Sequence, residues 1–127
     1  MTTPADSGLD RIVLNRLLDE FYAPAPEDFR PFRPGVDILA LYGMDDPEAT
    51  GPSAAFLRYA PGASVPTHLH TGYEHIFVLQ GSQQDAHGVY TRGTCIISPP
   101  GSRHAVASTD GCLVLAVWSR PVQMLED

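Results

Sequence analysis

His68 and His70 stand one residue apart, and Glu74 follows four residues after the second. On a β-strand alternate side chains share a face, so positions 68, 70 and 74 project to one side if the pleat survives the bend at Thr71-Gly72. Two imidazoles and a carboxylate on one face make a facial metal site. Imidazole is a borderline-soft donor and carboxylate a hard anion, so the set suits Fe, Zn, Mn, Ni or Cu and leaves coordination positions open. Glu74 has a second reading, as a group that orients an imidazole without touching the metal. The other histidines read differently. His75 falls on the face opposite Glu74, and His87 lies in a turn between Gly81 and Gly88. Tyr59 and Tyr73 flank the cluster, and Arg103 adjoins His104. These are the substrate-pocket candidates: a phenol can donate to a bound oxyanion, and an inward guanidinium favours a carboxylate, phosphate or enolate. Cys95 and Cys112 sit in apolar surroundings and read as buried, inert core thiols.

The elements that must position these residues are short strands. The chain has 127 residues, enough for one domain with its own core, and contains 11 glycines and 12 prolines placed between runs rich in Val, Ile, Leu, Phe and Tyr. The runs are 36–42, 54–59, 75–79, 88–90, 94–97 and 113–118, with turn clusters between them. Evenly spaced strands without a helical period mean a sandwich or barrel. Ahead of them, Leu9, Ile12, Val13, Leu17 and Phe21 recur at helical spacing behind a cap at Asp6 or Ser7, which predicts a helix over 9–22. Residues 23–35 hold Pro24, Pro26, Pro31 and Pro34 and should form an extended strap, pinned by Phe29 and Phe32. The organisation expected is a leading piece over 1–35 and a β-barrel domain over 36–127.

Charge narrows the partners. Fifteen acids oppose eight bases for a net charge of −7, and every base is an arginine. Nucleic acid and anionic membrane surfaces are drawn by clustered positive charge, so neither is expected. No stretch reaches the ~18 apolar residues of a membrane span, and the first ten residues lack the pattern of a signal peptide, which makes cytoplasm the expectation.

Around the cluster the spacing is more specific. Gly62, five residues, His68, one, His70, three, Glu74, six, Gly81 is followed by Gly93, five, Pro99, one, Gly101, two, His104. These resemble the two signature motifs of the cupin superfamily, with Ser108 where the second motif ends in asparagine. The resemblance implies an all-β jelly-roll barrel (double-stranded β-helix, RmlC-like) in which His68, His70, Glu74 and His104 converge on one divalent transition metal. The strings Arg58-Tyr59-Ala60-Pro61-Gly62, Val78-Leu79-Gln80-Gly81, Asp85 and Gly111-Cys112 look like the cupin domain of ChrR-type zinc-binding anti-sigma factors, whose stand-alone relatives are similar to acetylacetone-cleaving dioxygenases. Residues before 62 contain neither His nor Cys, so the sigma-binding half of that resemblance is missing and sigma-factor binding is not expected. Three functions follow: an Fe(II) dioxygenase acting on a β-dicarbonyl or related carbonyl acid, a zinc-binding sensor without turnover, and an isomerase or epimerase of small carbohydrates. The last is weakest, because sugar phosphates call for gathered basic groups. A homodimer through an exposed sheet, binding a small molecule, is the expected assembly.

Overall fold

The computed structural model describes residues 11–20, 22–45 and 48–125. Ten strands run through the described residues: β1 (Arg30–Arg33), β2 (Val36–Tyr42), β3 (Ser53–Tyr59), β4 (Ala63–Leu69), β5 (Glu74–Asp85), β6 (Gly88–Thr91), β7 (Cys95–Ser98), β8 (Arg103–Ser108), β9 (Cys112–Trp118) and β10 (Gln123–Met124). All pairings are antiparallel, in the order β1-β2-β3-β9-β5-β8-β4-β10, with β6 and β7 both on β5. β5 is the seam. Its first half pairs with β7 and β9, its second half with β6 and β8, so one strand belongs to both walls of a jelly roll.

That switch needs a glycine. The turn expected to begin at Gly81 is instead a kink inside β5, with Gly81 at φ 72° and so close to β9 that a Cβ there would stand 2.1 Å from Gly111 O. Only a residue without a side chain fits both constraints. The other motif glycines, Gly62, Gly93 and Gly101, also have positive φ, as strand reversals demand. Ser108, in place of the motif asparagine, is buried and donates to Ser82 O at 2.5 Å, fastening β8 to β5.

Alternation sorts the apolar side chains into two layers. Val36, Leu57, Ile76, Val78, Val114 and Trp118 fill the barrel. Leu39, Phe56, Leu79, Leu113 and Leu115 face outward beneath Leu14, Leu17, Tyr22 and Phe29. This outer layer explains the first correction. The described part of the predicted helix, residues 11–20 and Tyr22, is not helical: Arg16 has φ 58° and Asp19 N–H donates to Arg16 O at 3.0 Å. A lone helix of that length is marginal in water, and here the leucines gain more by lying on the broad sheet. The cap at Asp6 or Ser7, Leu9 and Phe21 lie outside the described residues.

The strap forms a short 3-10 turn at Pro26–Asp28 and then edge strand β1, where Pro31 is tolerated. Phe29 pins it under the Arg58 guanidinium, 4.2 Å from the ring centroid, whereas Phe32 is 44% exposed. The second correction concerns Cys95. It is exposed, opposite Phe77 on the outward side of short strand β7; Cys112 is buried as expected. Among the described residues no helix is long and apolar enough to cross a membrane.

Candidate metal centre

Each donor arrives by a different local device. In β4 the register slips between Val65 and His68, a bulge that holds Pro66 and resets the alternation so that both Val65 and His68 point inward. His70 lies just beyond β4, held by its own N–H to Ser102 O (2.9 Å) and by Gly101 N–H to His70 O (2.8 Å). Glu74 opens β5, and His104, on β8, lies directly across from His68. The four side chains bring their donor atoms within 4.8 Å of one another. His68, His70 and Glu74 are buried, and the His104 side chain is 13% exposed.

The hydrogen bonds fix which nitrogen each imidazole presents. His68 Nδ1 lies 2.9 Å from Pro66 O, which can only accept. Ser102 donates its hydroxyl to Pro99 O (2.6 Å), so its oxygen accepts from His70 Nδ1–H at 2.9 Å. His104 Nδ1 faces Asp85 Oδ2 at 3.5 Å. With the proton on Nδ1 in every ring, the Nε2 lone pairs turn to the centre. His70 Nε2 is buried with no hydrogen-bond partner, although Glu74 Oε1 is 3.1 Å away. A buried nitrogen without a hydrogen-bond partner, beside two further imidazoles and a carboxylate, is an arrangement that a metal ion could complete. The donor set fits a divalent transition metal.

Glu74 is ionised and anchored. Its Oε2 accepts from Trp118 Nε1–H (2.8 Å), which leaves Oε1 facing His70 Nε2 and, at 3.6 Å, His104 Nε2. Burial pushes the carboxyl up, but His70, the Trp118 indole and His104 together hold it below the usual carboxylate range. Burial lowers His104, reinforced by His68 and His70 and opposed by Glu74 and Asp85, so its ring favours the neutral, ligating form. Asp85 is raised by burial, yet the His87 backbone N–H (2.8 Å), the Tyr90 hydroxyl (2.9 Å) and His104 bring it below its ordinary value.

A cavity of about 70 Å³ adjoins the cluster. His68, Glu74 and His104 line it together with apolar side chains such as Leu57, Ile76 and Val106, and its other polar residues include Arg33, Tyr59 and Gln83. Tyr59 is therefore at the cavity, its hydroxyl kept protonated chiefly by burial. Tyr73 is 51% exposed and Arg103 is exposed on the outward side of β8, so neither reaches the cavity. His75 points outward, stacked near Phe77, and His87 is exposed in its turn.

Sequence reasoning missed Arg33, Gln83 and the role of Asp85. Eleven positions separate Glu74 from Asp85, and simple alternation puts them on opposite faces; a register slip between Val78 and Gln80 restores them to one side. Arg33 arrives from the strap, outside any motif.

The fold has known counterparts. The structure of an acetylacetone dioxygenase from Acinetobacter johnsonii superposes with a TM-score of 0.72 over 94% of this chain and 86% of that one, at 17% identity. The anti-sigma factor ChrR in complex with SigE from Rhodobacter sphaeroides gives 0.60 over 71% of this chain at 26% identity. A protein of unknown function with a cupin-like fold from Ralstonia eutropha JMP134 gives 0.59 over 67% of this chain at 28% identity. The chain spans 55% of the Ralstonia chain and 47% of the ChrR-complex chain. Comparison with curated protein sequences finds no match. The sequence profile of the ChrR Cupin-like domain matches residues 19–123, which contain every donor of the cluster, and the chain belongs to that family of cupins.

Proposed function

We propose that this protein is a metal-dependent dioxygenase that cleaves a small β-dicarbonyl compound, with Fe(II) as its metal. The observation that carries the reading is that three of the four donors, His68, Glu74 and His104, open onto one cavity of about 70 Å³ lined mainly by apolar side chains. A purely structural ion has a closed shell, whereas a reacting one keeps positions free toward a substrate. The fold shared with the Acinetobacter acetylacetone dioxygenase supports this reading.

The chain's own residues divide the work. His68, His70, His104 and Glu74 Oε1 hold the ion, and Trp118 and Ser102 keep two of them in place. When bound, Fe(II) would supply Lewis acidity toward an enolate and electrons toward O2. Tyr59, protonated at neutral pH, offers a hydroxyl proton at the cavity wall. Leu57, Ile76 and Val106 exclude water, which favours a planar, chelating carbonyl compound over a hydroxylated sugar.

The test is O2 uptake by anaerobically reconstituted Fe(II) protein given acetylacetone, with His104→Ala as the blank. Substrate-dependent uptake absent from the blank is the expected result. Uptake equal to the blank across β-dicarbonyls, together with one tightly held zinc in protein purified without added metal, would turn the assignment to a zinc-binding sensor. That second reading is favoured by the match to the ChrR Cupin-like domain.

A further inference from the structure

Arg33 is the one cation of the Lys or Arg kind lining the cavity that His68, Glu74 and His104 share. It ends β1, opposite Val36, so the edge strand delivers it to the barrel. Among the described residues the arginine ion pairs join Arg16 to Asp19 and Arg58 to Asp37, and neither involves Arg33. Its guanidinium carbon lies over the ring of Phe32 beside it, 5.8 Å from the centroid. Its charge is felt at Tyr59, inside the cavity, where it favours the phenolate against burial. Arg33 thus lines a small, mainly apolar space and has no carboxylate partner among the described residues.

Charge balance says what would complete it. A divalent ion held by three neutral imidazoles and Glu74 retains one positive charge, and Arg33 adds a second. Tyr59 and Gln83 are neutral, and Asp85 stands behind His104, in a separate groove beside Pro66 and Ala107. Unbalanced charge in a dry cavity is costly, so the ligand that fits best carries two negative charges. An enolate bound through its oxygens brings one. A carboxylate brings the other, matched to the forked donors of the guanidinium.

We propose that Arg33 is a specificity residue, selecting substrates that carry a carboxylate beside their chelating carbonyl pair over neutral β-diketones. The inference deepens the reading that the cavity takes a β-dicarbonyl compound and rests on it. Acetylpyruvate, which is acetylacetone with one methyl replaced by carboxylate, is the probe, and its methyl ester is the neutral control.

The experiment is calorimetric titration of the Zn(II)-loaded protein, which cannot pass electrons to O2. Acetylpyruvate should bind at least about tenfold more tightly than acetylacetone or the ester. Arg33→Met should bring the preference within about twofold while leaving zinc stoichiometry unchanged, and Arg33→Lys should keep part of it. Equal binding of acid and ester by the unaltered protein would overturn the proposal without any variant, and so would full preference in Arg33→Met. Failed O2 uptake with the preference intact would sink the dioxygenase reading alone; uptake on acetylacetone with no preference would sink the role of Arg33 alone.

Discussion

Asp85 grips His104 from behind, so its charge and geometry can be separated from the donor set itself. Asp85→Asn keeps the shape but weakens the acceptor for Nδ1–H, and metal affinity should fall by about 10- to 100-fold with the fold retained. Competition with a chelating dye measures this, and an unchanged affinity would show that the 3.5 Å approach to His104 does not orient it. Alanine at His68, His70 or His104 should abolish stoichiometric metal by elemental analysis, whereas His75→Ala and His87→Ala should bind a full equivalent, because those rings lie outside the cluster. Loss of metal in His75→Ala would mean that the register of β5 is wrong. Ligation also requires neutral imidazoles, so metal affinity, measured by the same dye competition, should weaken as the pH is lowered into the acid range.

At the scale of elements, the value of Gly81 follows from where β5 crosses between walls. Gly81→Ala combines a positive φ with a Cβ 2.1 Å from Gly111 O and should destabilise by about 3 kcal/mol or more. Gly62→Ala meets no atom within 4 Å and should cost only the backbone strain, about 1–2 kcal/mol. Thermal melts of the two variants compare them directly, and equal losses would count against the close approach. The same strands show how much was legible beforehand. The six runs read as strands correspond to β2, β3, β5, β6, β7 and β9, because their β-branched and aromatic residues are strong signals. β4 and β8 carry His68 and His104 yet are not among those six runs, since one is polar and interrupted by Pro66 and the other begins with charged and polar side chains. The donor set was legible because motif spacing survives bulges that defeat simple alternation. Arg33, Gln83 and Asp85 were not, because strand pairing over long separations places them.

For the whole molecule, the cluster couples stability to pH in the metal-free protein. His104 is held below its ordinary value, so the unfolded chain takes up its proton first and stability should decline as pH falls below about 6.5. Glu74 is likewise lowered; its contribution is full above the unfolded value of about 4.3 and is lost as pH falls through the lower folded one. The melting temperature of chelator-treated protein should therefore drop in two stages between pH 7.5 and 3.5, and His104→Gln should remove the first. A profile flat down to pH 4 would contradict the His104 shift, and one that stays flat on to pH 3.5 would contradict the Glu74 shift as well. The order of the strands has a consequence for how the chain reaches this state. β9 lies between β3 and β5, pairing Ser53 with Trp118 and Glu74 with Trp118. During synthesis β3 must wait for a partner made some sixty residues later, with its apolar faces and free edge open to other chains. Such distant pairing makes for folding in milliseconds to seconds rather than microseconds. Nascent chains stopped short of Cys112 should be held by chaperones or cleaved, and the switch to protease resistance should come only once Trp118 has cleared the ribosome.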